Sequence, residues 1–199
     1  MSRLEKAGII GVLQEHGAII QGHFELSSGL HSPTYVQTAV VLQYPHIAQK
    51  LAKALAAKFP QAIDVVLSPG MGGVIIGQEV ARVKKCRAIF VERVEGAMVL
   101  KRDFRLEPGE RTLIVEDVLT TGRTTSEVVS LAWAHRAKVV GVAAIADRSL
   151  TPFPLKIPVR ALVPYPVRLS SVDSCSLCAQ QIPITPLRQV GTLKTGLED

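Results

Sequence analysis

Apolar residues recur at helical spacing near the start of the chain, at Leu4, Ala7, Gly8, Gly11 and Val12, and predict a helix from Leu4 to His16. Ala18 to Gln37 breaks that period. Short apolar stretches alternate there with the turn signals Ser27-Ser28-Gly29 and Ser32-Pro33, which predicts small strands outside the main sheet. Pro45 suits the first turn of a second helix, which runs through Ala48, Leu51, Ala52 and Leu55 to Lys58. From Asp64 the pattern becomes strand, loop, helix, strand: Asp64–Leu67, Ser68–Gly73, Val74–Lys84 and Ala88–Glu92. A mixed stretch, Val94–Gly109, ends on Pro108-Gly109. Thr112–Val115 then reads as a buried strand, Thr124–His135 as a helix and Val139–Ala146 as a strand. Nearly continuous apolar strands separated by helices predict an α/β fold: a central parallel sheet with helices on both faces. Beyond Arg148, a proline-rich segment with short valine-rich pieces is expected to form a C-terminal cap near the sheet edge.

Composition narrows the class. The chain has 199 residues, 47% hydrophobic and 20% charged. That fits a single domain over 1–199, with a core over about 45–150, the irregular strands over about 18–37 and the cap over about 151–199. A disordered chain is excluded. The uncharged run Val65–Gln78 contains Pro69 and four glycines, and it is shorter than the ~20 residues of a membrane span. No secretory signal is visible, so a cytoplasmic protein is expected. Lysine and arginine number 23 against 17 acids, a net charge of +6, while aromatic residues make up 5%. The basic residues are scattered apart from Arg82–Arg87 and Lys101–Arg105, with no aromatic interleaving. This favours a small phosphate-rich ligand, or a merely solvated basic surface, over nucleic acid. Cys175 and Cys178 have the spacing of half a metal site, but no second cysteine pair exists. They read as reduced thiols in a tail, with a site shared between subunits or a redox pair as the alternatives. No residue is assigned as a metal ligand.

Leu113-Ile114-Val115-Glu116-Asp117-Val118-Leu119-Thr120-Thr121-Gly122-Arg123-Thr124-Thr125 carries the most chemistry. A buried strand ends in two acids, a Thr/Gly turn follows, and a helix begins. Free amides at the helix start and threonine hydroxyls make an anion cradle, and Gly122 permits close backbone approach. The acids would repel that anion, so they suit a neutral polyhydroxylated group beside it. A ribose 5-phosphate has both parts. In open α/β sheets such ligands bind at the carboxyl ends of strands. No GxxxxGK[ST] loop is present.

This segment resembles the phosphoribosyl-pyrophosphate (PRPP) motif of type I phosphoribosyltransferases. Gly22-His23-Phe24-Glu25-Leu26-Ser27-Ser28-Gly29-Leu30-His31-Ser32-Pro33-Thr34-Tyr35 resembles the N-terminal hood of the orotate phosphoribosyltransferases in particular. Ser68–Gly73 is similar to their pyrophosphate loop, and Arg148 lies where they keep an orotate-binding arginine. The resemblance runs from about residue 3 to about residue 150. It implies that PRPP and orotate, with Mg2+ held mainly through the substrate, give orotidine 5′-monophosphate and pyrophosphate. The implied transition state is oxocarbenium-like and is stabilised by positioning and electrostatics. Orotate enters as an anion, so a general base need not be found in the chain.

The resemblance also implies roles. Glu116 and Asp117 hold the ribose hydroxyls. Val118, Leu119, Thr120, Thr121, Gly122, Arg123 and Thr124 bind the 5′-phosphate, and Thr120 also faces orotate. Gly70, Met71, Gly72 and Gly73 offer amides to pyrophosphate. Arg148, with Ser27 and Tyr35 of the hood, binds orotate. A basic mobile loop within Arg93–Arg105, with Arg93, Lys101 and Arg102 as candidates, closes over the neighbouring subunit's site and implies a homodimer. Three features depart from the family. Ser27 replaces a common hood lysine, Met71-Gly72 replaces Tyr-Lys, and the mobile loop lacks a Lys-Asp-x-Gly pattern. Two other readings are a purine-type phosphoribosyltransferase and a non-catalytic PRPP-sensing regulator. The hood and Arg148 argue against the first, and the lack of a helix-turn-helix pattern argues against the second.

Overall fold

The computed structural model describes residues 3–26 and 29–186. Helix α1 (Arg3–Glu15) leads into an antiparallel hairpin of β1 (Ile19–Glu25) and β2 (His31–Val36), which stands apart from the main sheet as expected. A four-residue helix, α2 (Ala39–Leu42), precedes α3 (Pro45–Ala57), with Pro45 in the first turn. The chain continues through β3 (Val65–Pro69), α4 (Gly72–Lys84), β4 (Arg87–Val94), β5 (Ala97–Leu100), β6 (Arg111–Leu119), α5 (Arg123–Ala134), β7 (Lys138–Asp147) and β8 (Val159–Pro164). A single 3-10 turn (Val172–Ser174) and the short helix α6 (Ser176–Ala179) follow.

The six strands lie in the order β5-β4-β3-β6-β7-β8, and every neighbouring pair is parallel except β4 with β5. All of β3 is buried. Alternate residues feed two cores, one on each face of the sheet. Val66, Leu113, Val115 and Ile145 pack with Leu51 and Leu55 of α3 and Ile76 and Val80 of α4. Val65, Leu67, Ile114 and Val142 pack with Val128, Val129 and Ala132 of α5. Burial on both faces explains why these strands read as unbroken apolar runs. At the amino end, Asp64 accepts hydrogen bonds from the Arg111 backbone N–H and Nε, both at 2.8 Å. Arg111 thereby holds the Asp64 carboxyl down at a pKa of about 2. This pair fixes β3 against β6 at the end away from the acids.

Three features depart from the pattern reading. The stretch Val94–Gly109 contains β5, an antiparallel edge strand whose four residues are all exposed or half-buried. Strand β6 does not stop at Val115 but runs on to Leu119, because its ladder with β7 continues through Glu116↔Ala144, Val118↔Ala146 and Leu119↔Asp147. The region past residue 150 supplies β8, which pairs in parallel with β7 and completes the sheet. Prolines before and within β8 obscure it in the sequence, and an edge position is where prolines are tolerated.

Leu113 is fully buried in the central strand. Leu113→Ala should cost about 2–5 kcal/mol of stability. The check is the urea midpoint, which should fall while the slope of the transition stays unchanged.

Candidate active site

The carboxyl ends of β3, β6 and β7 bring the predicted residues together. Asp117 Oδ2 accepts a 2.6 Å hydrogen bond from Thr38 Oγ1, which ties the start of α2 to the strand end. The loop from Pro69 into α4 crosses directly over the same carboxylate. A Cβ on Gly72 would lie 2.6 Å from Asp117 Oδ1, and one on Gly73 would lie 2.7 Å from the Val115 carbonyl oxygen. Both glycines are therefore required by close approach. The Gly70–Met71 peptide is cis, the Gly70 N–H donates to the Val91 carbonyl at 2.8 Å, and Met71 is well exposed. Beside Asp117, the Glu116 carboxyl is largely removed from water, and its Oε2 has no hydrogen-bond partner among the described residues. Burial, with a smaller contribution from the Asp117 charge, pushes its pKa up to about 9. Free Glu116 is thus protonated at neutral pH, with a polar atom waiting for a hydroxyl.

Past Leu119 the chain leaves the sheet. Thr120 and Thr121 are exposed, and Gly122 turns with φ 75°, a left-handed conformation packed under the Phe153 ring. The first helical bond of α5 runs from the Ser126 N–H to the Gly122 carbonyl. The Arg123 N–H reaches only a 3.4 Å contact with Thr121 Oγ1, so the helix presents amides to an anion. Val118 and Leu119 were expected in this cradle, but they are strand residues whose backbones lie in the ladder with β7. The cradle therefore opens at Thr120.

Arg148 stands at the end of β7, and its backbone N–H bonds the Leu119 carbonyl at 2.8 Å. Its guanidinium is buried beneath the hairpin, where Nη2 donates to Ser32 Oγ at 3.1 Å and to the Thr34 carbonyl at 3.0 Å. Its Nε has no partner, and no carboxylate pairs with it among the described residues. Asp147, its neighbour, instead accepts from Ser149. Burial lowers the Arg148 pKa, partly offset by the Tyr165 and Tyr35 phenols nearby. A buried cation facing neutral partners has the chemistry of an anion receptor.

A model of the phosphoribosyl transferase domain matches residues 39–163. An orotate phosphoribosyltransferase from Caldicellulosiruptor bescii is 42% identical over 182 residues, 91% of this chain and 96% of that protein. Another, from Thermoanaerobacter sp., is 41% identical over the same 91% of this chain and 96% of its own length. This chain belongs to the orotate phosphoribosyltransferase family. Two solved structures share its fold at lower identity. One is Leishmania donovani UMP synthase, with a TM-score of 0.69, 21% identity and coverage of 79% of this chain and 36% of that one. The other is orotate phosphoribosyltransferase from Aeropyrum pernix, with a TM-score of 0.68, 19% identity and coverage of 78% and 92%.

The remaining candidates of the phosphoribosyltransferase chain fall elsewhere. Arg93 sits near the carboxyl end of β4 and is engaged, donating to Glu127 and to the Gly96 carbonyl, both at 2.5 Å. Arg123 shares Glu127 at 3.4 Å. Lys101 and Arg102 follow the edge strand β5, beside β4. Leu100 pairs with Val91, so the chain after β5 heads back along β4, and Arg102 binds Glu92 and lies over the Phe90 ring at 5.0 Å. Tyr35 is half-buried on β2, and Ser27 lies outside the described residues. Sequence reasoning missed Thr38, Ser32 and Thr34 as supports. Thr38 lies 79 residues from Asp117 along the chain, so no local spacing signals the contact.

The raised Glu116 pKa has a definite sign. Between its ordinary value of 4.5 and about 9, the folded form keeps a proton that the unfolded form has lost, so this group's contribution to stability falls as pH rises. Glu116→Gln removes that penalty. Its melting temperature relative to the parent should rise steadily from pH 5 to pH 9. A constant difference across that range would mean that Glu116 titrates normally.

Proposed function

We propose that this enzyme transfers the phosphoribosyl group of PRPP to orotate, giving orotidine 5′-monophosphate and pyrophosphate, a step of pyrimidine nucleotide synthesis. The observation that carries the reading is the meeting, at one sheet rim, of the acid pair, the Thr120–Thr124 cradle and the buried, carboxylate-free Arg148. The 5′-phosphate sits on the α5 amides with Thr120, Thr121 and Thr124. The ribose hydroxyls donate to Asp117 and Glu116. Pyrophosphate lies against the Gly70–Gly73 backbone. Orotate's carboxylate binds Arg148, with Tyr35 and Thr120 around the ring.

The bond from the ribose anomeric carbon to pyrophosphate breaks, its electron pair leaving with pyrophosphate, as a ring nitrogen of orotate bonds to that carbon and gives up its proton to the pyrophosphate oxygens or to water. Positive charge grows on the ribose next to Asp117, whose charge is held in place by Thr38. The donor set suits Mg2+ carried by the substrate. The described residues hold no group of three acids there, Glu116 is protonated in the free protein, and Asp117 already accepts from Thr38. Bound through PRPP, that ion supplies neutralisation of the pyrophosphate charge.

A homodimer is part of the proposal. Lys101 and Arg102 follow β5 at the outer edge of the sheet, three strands from Glu116 and Asp117 on β6, which suits service to a neighbouring site. Among the described residues no helix is long and apolar enough to cross a membrane, which is consistent with work in the cytoplasm. The base choice follows from Arg148. A purine carries no carboxylate, so it would leave that guanidinium buried without an anion.

The reaction is tested by following the loss of orotate absorbance with PRPP and Mg2+, and inactivity of the folded protein would refute it. Asp117→Asn should lose about 100-fold or more in turnover. Arg148→Ala should lose roughly 10- to 150-fold in kcat/KM for orotate, the scale of a charge-assisted contact, with PRPP affinity changed only severalfold. Equal losses for the two substrates would remove Arg148 from base selection. For the dimer, mixing Lys101→Ala with Asp117→Asn chains should recover activity, because one site of the mixed dimer has both groups. Mixed dimers that form yet stay inactive exclude the shared loop.

A further inference from the structure

The hairpin and the C-terminal segment meet in a cluster that the transfer reaction does not use. His23 on β1 and His31 on β2 are both buried, Cys175 at the head of α6 is buried, and Cys178 is half-buried. Their ligand atoms all lie within 4.8 Å of one another. Both sulfurs are 3.6 Å from His23 Nε2, and Cys178 Sγ is 3.2 Å from His31 Nδ1. His23 Nε2 and His31 Nδ1 are 2.8 Å apart.

We infer that His23, His31, Cys175 and Cys178 form a structural zinc site within one chain, fastening the C-terminal segment to the hood hairpin. A buried histidine pair bridged by one proton accounts for the 2.8 Å contact but not for two thiols turned onto the same nitrogens. A single N–H between the rings cannot also serve both sulfurs. Four lone pairs converging on one cation satisfy all of them at once. The second shell agrees. His23 Nδ1 lies 2.7 Å from the Ile182 carbonyl, which fixes the proton on Nδ1 and frees Nε2 as a ligand.

The donor set selects the ion. Two thiolates and two imidazoles with no oxygen ligand suit zinc and exclude magnesium or calcium. Zn–N of ~2.05 Å and Zn–S of ~2.3 Å give tetrahedral edges of roughly 3.3–3.8 Å. The sulfur–nitrogen contacts of 3.2 and 3.6 Å already approach this, and the histidine pair needs to open by about 0.5 Å. Four protein ligands leave no open position, so the role is structural. The half-site spacing of Cys175 and Cys178 is thus completed by the hood's own histidines rather than by more cysteines or another subunit.

The clamp acts beside the proposed orotate pocket. His31 exchanges two backbone hydrogen bonds with Ser170, and the next residue, Ser32, holds Arg148. Zinc would therefore fix the strand that roofs that guanidinium.

The test uses the full-length protein, reduced and stripped of metal, then titrated with Zn2+ or Co2+. One zinc per chain is expected by elemental analysis. Co2+ should give the intense visible absorption of a tetrahedral ion and a near-ultraviolet thiolate band. Cys178→Ser, at a half-buried position, should weaken binding at least ~100-fold, beyond the loss typical of an outer-shell change. His46→Ala, an exposed histidine outside the cluster, should leave binding unchanged. A chelator should lower the melting temperature of the parent but not of Cys178→Ser. Any of three results overturns the assignment: no uptake of either ion by the folded reduced protein, a six-coordinate cobalt spectrum, or parental affinity in Cys178→Ser. A Cys175–Cys178 disulfide that persists with zinc present, read as a 2 Da mass loss (two hydrogens), also overturns it in favour of a redox pair.

Discussion

Two adjacent carboxyl groups at the end of a central, doubly covered strand are the constraint around which this molecule is arranged. A strand alternates its side chains between faces, so Glu116 and Asp117 point to opposite sides and need different solutions. Asp117 is held by the Thr38 hydroxyl and overhung by a loop that only glycine at 72 allows so close. Glu116 Oε2 finds no partner among the described residues, and the carboxyl keeps its proton instead. An unpartnered buried acid costs stability in the free protein, and a diol that donates to it relieves that cost. The same feature that weakens the empty protein thus favours the bound one.

The hood hairpin buries Ile19, Phe24 and Val36. A two-stranded hairpin is marginal in isolation. Here two of its ties stand out. Ser32 and the Thr34 carbonyl grip Arg148, which belongs to the main sheet, and His23 and His31 meet the C-terminal cysteines. The first tie packs the hairpin directly onto the Arg148 guanidinium. The second joins the hairpin to the C-terminal segment.

Much of this was legible in the sequence, for physical reasons that differ by region. Strands β3, β6 and β7 are buried on both faces, so their apolar runs announce themselves, and the Thr/Gly turn after Asp117 specifies its own geometry. The extension of β6 through its two acids was not legible, since charged residues argue against a buried strand and only the ladder with β7 requires it. Strand β5, mostly half-buried and four residues long, carries no periodicity to detect. Contacts distant along the chain left no local trace. Thr38 with Asp117, Ser32 with Arg148 and the histidines with the cysteines exist only because the fold returns the chain to the same place. Cys175 and Cys178 showed half of a pattern, and its other half was hidden in a hairpin about 150 residues earlier.

In the proposed reaction the charge distribution supplies the selectivity. The chain carries a net +6, yet most cations near the rim are already answered. Arg93 and Arg123 share Glu127, and Arg102 is paired with Glu92. These exposed pairs contribute little to stability, because water screens them, and they can exchange partners readily when a polyanion arrives. Arg148 is different: it is desolvated, fixed by neutral groups and left with a free Nε. Removing a guanidinium from water without a counter-ion is unfavourable, and the ligand that supplies the counter-ion recovers that energy only if its anion reaches the buried position. Exposed cations attract any phosphate-bearing molecule, whereas a buried one distinguishes a flat ring that bears a carboxylate from a flat ring that does not. In the proposed reaction, attraction of PRPP and choice of base fall to different arginines, and burial is the property that separates them.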